Sequence, residues 1–323
     1  MTRSDRSSNR GRSRLIVPLI ATILIVPGLS ASAAEGDLGS YFERAAAAEF
    51  SGDQVLACNT PVGLRDSAAH LAQKDGDLYI SAGVDGAPAV SAGAGLLAVT
   101  GPGGSVDAVQ VAAATKAPVG YQISATRAVT YLQRPADELT LTSGGKARVR
   151  LTFDQGTGAL LRSETLNSDG SVYCSTSMTS FVSATPRVPS GTTGDVRKLE
   201  KDTDFPAEAF PVRIGTFRRL DVYGWNHDGE MGYYSDGFFA FALYHIPGQF
   251  SVTDITDART WTGELGKYSR WFRPGTVTLV WDTAEGGMAL HGDLPVDLQS
   301  AVLAGLPAPS RPSFFDRILS LFS

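Results

Sequence analysis

The stretch Tyr233-Tyr234-Ser235-Asp236-Gly237-Phe238-Phe239-Ala240-Phe241-Ala242-Leu243 constrains the fold more than any other part of the sequence. Its Asp-Gly pair supplies a positive φ at little cost, so the chain reverses there and enters a strand. Along that strand Phe239, Phe241 and Leu243 share one face, while Phe238, Ala240 and Ala242 share the thinner one. A strand of this kind is buried in a β-rich domain and carries no chemistry itself.

The rest of the chain supplies enough apolar material to build around it. In 323 residues, 43% are hydrophobic and 19% charged, which fits two globular domains and argues against disorder. Residues 1–33 are set apart as a signal peptide. Arg3, Arg6, Arg10, Arg12 and Arg14 precede the apolar run Leu15 to Leu29, and Ser30-Ala31-Ser32-Ala33 offers a cleavage site after Ala33. The alternative, a retained anchor, is weakened by Pro18 and Pro27 within a run shorter than the roughly 20 residues a span needs. No cysteine follows that run to take a lipid.

Removing the five arginines and Asp5 from a net charge of −5 leaves about −9 on the exported part. Nucleic acid and anionic lipid surfaces are poor partners for such a chain, and a basic partner suits it better. Cys58 and Cys174 form an even pair outside the cytosol and are expected to be joined, with two buried thiols as the alternative. No Cys-x-x-Cys spacing points to redox catalysis.

Ser40 with Glu43 makes a capping box, and Leu38, Phe42, Ala45 and Ala46 recur at helical spacing through Ala48. Strand patterns follow at 52–58 and, past Asp75-Gly76, at 77–80. Gly and Ala crowd 81–120 and blur assignment there. In 147–154 strict alternation puts Val149, Leu151 and Phe153 on one face, as in a sheet covered on one side and wet on the other. Residues 160–166 and 171–182, joined across Asn167-Ser168-Asp169-Gly170, read as a hairpin. Pro186, Pro189 and the Ser-Gly-Thr run after it mark 186–203 as a linker, with hinge movement across it. Beyond it, strands are expected at 215–223, 268–271, 276–281 and 287–291, a polar turn at 226–230, and a helix opened by Pro295 and stopped near Gly305. Residues 308–323 carry Phe314, Phe315, Ile318, Leu319 and Phe322 at helical spacing, an amphipathic tail.

Catalytic chemistry finds little footing. His70, His227, His245 and His291 share no metal-ligand spacing, and no Gly-x-Ser-x-Gly elbow stands in the exported part. Gly101-Pro102-Gly103-Gly104 lacks the following Lys-Ser/Thr of a phosphate cradle. The chain reads as a binding module with no cofactor, not an enzyme.

The turn and strand at 233–243, together with Met288-Ala289-Leu290-His291-Gly292-Asp293-Leu294-Pro295, resemble the C-terminal domain of the RseB/MucB family, exported regulators of envelope-stress anti-sigma factors. The strand series from Arg148 to Val182 is similar to the last strands of that family's LolA-like first domain. The resemblance implies an α+β fold, mainly antiparallel β: a curved half-barrel sheet over a helix at 36–185, then a smaller β-rich domain at 204–307. It also implies an exported protein, periplasmic or on the extracytoplasmic face of the cell envelope, that binds the extracytoplasmic segment of a membrane anti-sigma factor, shields it from proteolysis, and releases it on a lipid or lipoprotein signal. A lipid or lipoprotein carrier is the alternative, since a half-barrel's apolar face needs a helix or an acyl chain over it. By the same resemblance the partner contact falls on the second domain. There Asp221, Asp228, Glu230 and Asp236 are expected to rim exposed aromatics, Tyr223, Trp225 and Tyr233.

Overall fold

The computed structural model describes residues 36–61, 63–75, 77–82, 89–92, 95–100, 106–111, 118, 120–186, 195–198, 210–225, 229–246, 258–273, 276–284, 286–292 and 294–310. The expected signal segment, and the expected amphipathic tail beyond Ser310, lie outside them. The chain opens with α1 (Gly36–Ala47) and continues through β1 (Phe50–Thr60), β2 (Gly63–Lys74), β3 (Asp77–Ala82), β4 (Ala89–Ala92), β5 (Gly95–Thr100) and β6 (Val106–Val111). Next come β7 (Gln122–Tyr131), β8 (Arg134–Ser143), β9 (Lys146–Asp154), β10 (Leu160–Leu166), β11 (Val172–Met178) and β12 (Asp195–Lys198). The second half holds β13 (Arg213–Ile214), β14 (Phe217–Trp225), β15 (Gly229–Ser235), β16 (Ala240–Ile246), β17 (Arg259–Gly263), β18 (Gly266–Arg273), β19 (Thr276–Asp282), β20 (Gly287–Gly292) and α2 (Val296–Leu303). The class is α+β, mainly antiparallel β. Among the described residues one sheet runs β4-β3-β2-β1-β11-β10-β9-β8-β7, and another runs β13-β14-β15-β16-β20-β19-β18-β17. A small third sheet pairs β5 with β6 and with β12, so part of the stretch read as a linker is a strand.

α1 begins a turn earlier than its capping box suggested, so Ser40 lies inside it. The added turn keeps Leu38 on the stripe of Phe42 and Ala45, all buried against Leu139, Leu151 and Phe153 of the first sheet. That contact supplies the helical cover an apolar sheet face requires. At the other end of the helix the Gln73 amide donates to the carbonyls of Ala45, Ala46 and Ala48, which a helix end leaves without intrahelical partners.

The opposite face of β9 is not wet. Arg148, Thr152 and Asp154 are buried together with Val149, Leu151 and Phe153. The two charged side chains go under with partners: Arg148 Nη2 lies 2.7 Å from Asp297 of α2, and Asp154 receives Arg134 through two oxygens at 2.8 and 2.9 Å. Burial pushes the Asp154 carboxyl up, but the Arg134 fork and the Thr157 hydroxyl and N–H outweigh it and hold it below the usual range. Glu138 and Glu164 on the same face meet Arg127, Arg150 and Arg162.

The stretch Tyr233 to Leu243 lies in the β15–β16 hairpin, with Phe239, Phe241 and Leu243 essentially inaccessible to solvent. Phe238 leaves the strand pattern. From the turn it points at the first sheet's helix, its ring edge-on to Tyr121 at 4.6 Å and 6.2 Å from Phe42. Through it one apolar core runs from Leu38, Phe42 and Phe153 to Phe210, Phe217, Tyr234 and Leu290. Gly237 sits at φ +109, and a Cβ there would fall 2.2 Å from the Pro118 side chain. Gly237→Ala is therefore expected to cost on the order of 2 to 4 kcal/mol, from a backbone conformation hostile to L side chains and from overpacking. Urea titration of the purified variant measures it, and an unchanged midpoint would show that the turn does not seat against Pro118.

Candidate partner-binding surface

The β14–β15 hairpin gathers the residues expected to face a partner. Tyr223 stands opposite Met231 and Tyr233 opposite Asp221, while Glu230 faces Gly224 and Trp225 closes β14 opposite Gly229. Asp228 and the Trp225 side chain fall outside the described residues. The expected exposed aromatic centre is corrected for two of its members: Tyr223 and Tyr233 are each only 8% exposed. They share a face with Met231, Ala240 and Ala242, and Tyr244 packs alongside. The two small residues of β16 leave room that the tyrosine rings fill. Burial, with the Asp221 carboxylate adding to it, pushes the Tyr223 hydroxyl up to about 12.

Asp236 is corrected in the same sense, from a rim acid to an internal one. Its Oδ1 accepts the backbone N–H groups of Phe238 and Phe239 at 3.1 and 2.9 Å, and its Oδ2 accepts the Tyr121 hydroxyl at 2.9 Å. Burial raises its carboxyl above the ordinary value although those donors oppose it. Asp221 and Glu230 remain half-buried at the hairpin. Tyr121, Arg148 and Asp297, which tie the two sheets together, carried no sequence signal, because their partners lie 115 or more residues away.

The described histidines stand apart from one another. His70 contacts Asp53 across β1 and β2 at 3.0 Å, His245 lies on β16 opposite Glu230, and His227 is outside the described residues. His291 of β20 shares a 2.7 Å hydrogen bond with the Thr278 hydroxyl, and burial pushes its imidazole down from 6.5 to about 4. A group held down in the fold contributes stability that is complete above its unfolded value and lost as protonation favours the unfolded chain. Stability is expected to fall from about pH 6.5 towards about pH 4 through His291. Denaturation midpoints across that window should flatten in His291→Gln; an identical slope would remove His291 as the cause.

No protein-family model matches the chain, and no curated protein sequence does. Solved structures do. The chain aligns with the complex of Pseudomonas aeruginosa MucA and MucB at a TM-score of 0.54 and 19% identity, over 85% of this chain and 100% of that one. The fold is that of MucB. A second structure, MucB in complex with MucA(peri), aligns at a TM-score of 0.50 and 17% identity, again over 85% of this chain and 100% of that one. The MucB fold spans both sheets, and the fold expected from the wording at 233–243 and 288–295 agrees with it. Among the described residues no helix is long and apolar enough to cross a membrane.

Proposed function

We propose that this protein is a periplasmic regulator of the RseB/MucB family that binds the extracytoplasmic segment of a membrane anti-sigma factor. The alignment along 85% of the chain with MucB in structures that also hold MucA is the observation that carries this reading. By the family resemblance, such a partner is the exported part of an anti-sigma factor. Shielding that segment from proteolysis, and letting go when a lipid or lipoprotein arrives, complete the proposed role. The contact we place at the β14–β15 hairpin, on Trp225, Asp228 and Glu230, with Tyr223 and Tyr233 in the same two strands and Asp236 holding the turn that follows β15. A plain lipid carrier is less well supported, because α1 already covers the apolar face of the first sheet.

Affinity capture on the exported fragment, residues 34–323, followed by mass spectrometry for peptides and lipids, tests the reading. An anti-sigma segment among the captured species is the expected result. Acyl chains without any polypeptide would turn the assignment to a carrier.

A further inference from the structure

The far edge of the second sheet holds two arginines that no acid among the described residues meets. Arg259 of β17 stands directly opposite Arg270 of β18, an arrangement in which like charges repel across the pair. Arg270 lies over the Trp261 ring at 4.8 Å and the Phe272 ring at 5.0 Å. Its Nη1 is buried and has no hydrogen-bond partner among the described residues. Burial pulls its pKa down, and Tyr173 of β11, on the other sheet, acts weakly against that. Among the described residues neither arginine forms an ion pair. A half-buried guanidinium without a counter-charge is costly, and a chain carrying 33 acidic residues had acids available to neutralise it.

We propose that Arg270 and Arg259 form a carboxylate-binding subsite for an acidic side chain of an extended polypeptide that adds to the edge of β17. β17 ends its sheet, so among the described strands only β18 pairs with it. An added strand would set a side chain beside Arg259 on the face that Arg270 shares, where a carboxylate can take both forks. Thr260 and Thr262 face the other way and are exposed. Trp261 and Phe272 keep the Arg270 fork fixed and partly dry, which strengthens a charge-assisted hydrogen bond. The open strand edge favours a polypeptide over a lipid phosphate, since an acyl lipid has no backbone with which to pair. A basic partner, as the chain's net charge leads one to expect, can still carry one acidic residue at this position, because the subsite reads a single side chain. This inference rests on the proposed function only for naming the polypeptide as an anti-sigma segment.

The test uses the exported fragment and a fluorescein-labelled, capped decapeptide alternating threonine and glutamate, with a glutamine-for-glutamate control. Fluorescence anisotropy is expected to show the glutamate peptide binding about tenfold tighter than its control. Arg270→Met should abolish that preference, and Arg259→Ala, a surface change that leaves the core alone, should reduce it several-fold. Equal binding of both peptides to the unaltered protein would overturn the proposal. So would a preference that survives both substitutions, or Arg270-dependent binding of phosphatidylglycerol vesicles without any peptide binding. If affinity capture yields no anti-sigma segment while the glutamate preference stands, the subsite holds and the functional reading fails. The converse result separates them the other way.

Discussion

Phe241→Ala is expected to destabilise the protein by roughly 3 to 5 kcal/mol, the range for truncating a large aromatic in a closed core. Phe241 is 1% exposed. Its ring stacks on Tyr234 at 4.9 Å with 5° between planes and meets Phe217 edge-on at 5.2 Å. Across the ladder it stands opposite Gly292, where a Cβ would come within 2.5 Å of the Phe241 Cβ. The glycine thus makes way for the close approach of the two strands, and the residue opposite has no side chain to fill the hole. Strands on both sides of β16 pack through this residue, so the loss should appear as a lower denaturation midpoint with the cooperative transition preserved. Melting like that of the unaltered protein would mean that β16 is not a core strand.

Cys58→Ala with Cys174→Ala is expected to lower stability by about 4 to 5 kcal/mol in the chain-entropy account, because the bond closes a loop of 116 residues. The cysteines are directly opposed on β1 and β11 and buried beside Leu56 and Tyr173. These strands are neighbours inside the first sheet. The bond therefore clamps the place where the chain, after leaving through β2, returns to the sheet it started. A non-reducing peptide map shows the linkage, and denaturation of the double variant measures its worth. Two free thiols in the purified protein, or a variant as stable as the parent, would remove the bond from the stability account.

The parts of the fold legible in the sequence were those whose turns announce themselves. Asp236-Gly237 and Asp169-Gly170 both place glycine at positive φ, and each lies between runs of alternating residues. The β7–β8 hairpin left no such mark. Its two-residue turn is made by Leu132 at φ 50 and Gln133 at φ 58, side chains that seldom adopt that conformation, and Pro135 follows one residue into β8. β17 was missed as well, a five-residue edge strand with only Trp261 to suggest burial. At the candidate surface the alternation of Tyr223 and Tyr233 was readable, but which face would be covered was not, since that depends on strands brought in from elsewhere in the sheet. Arg148 shows the same limit: it looks like a solvent-facing cation until Asp297, 149 positions away, closes on it.

The passage of one core through Phe238 bears on how such a molecule can be taken apart. A fragment ending at the Pro-Gly segment after residue 185 would keep Phe42 and Tyr121 but lose the ring that lies against them, together with the carboxylate that accepts the Tyr121 hydroxyl. Its inner surface would be sticky, and a lost interaction in that fragment would report damage as readily as a missing contact. Dissecting the protein at its apparent boundary is therefore the wrong way to map what it binds. Point substitutions in the intact chain, on residues that the shared core does not use, keep the two questions apart.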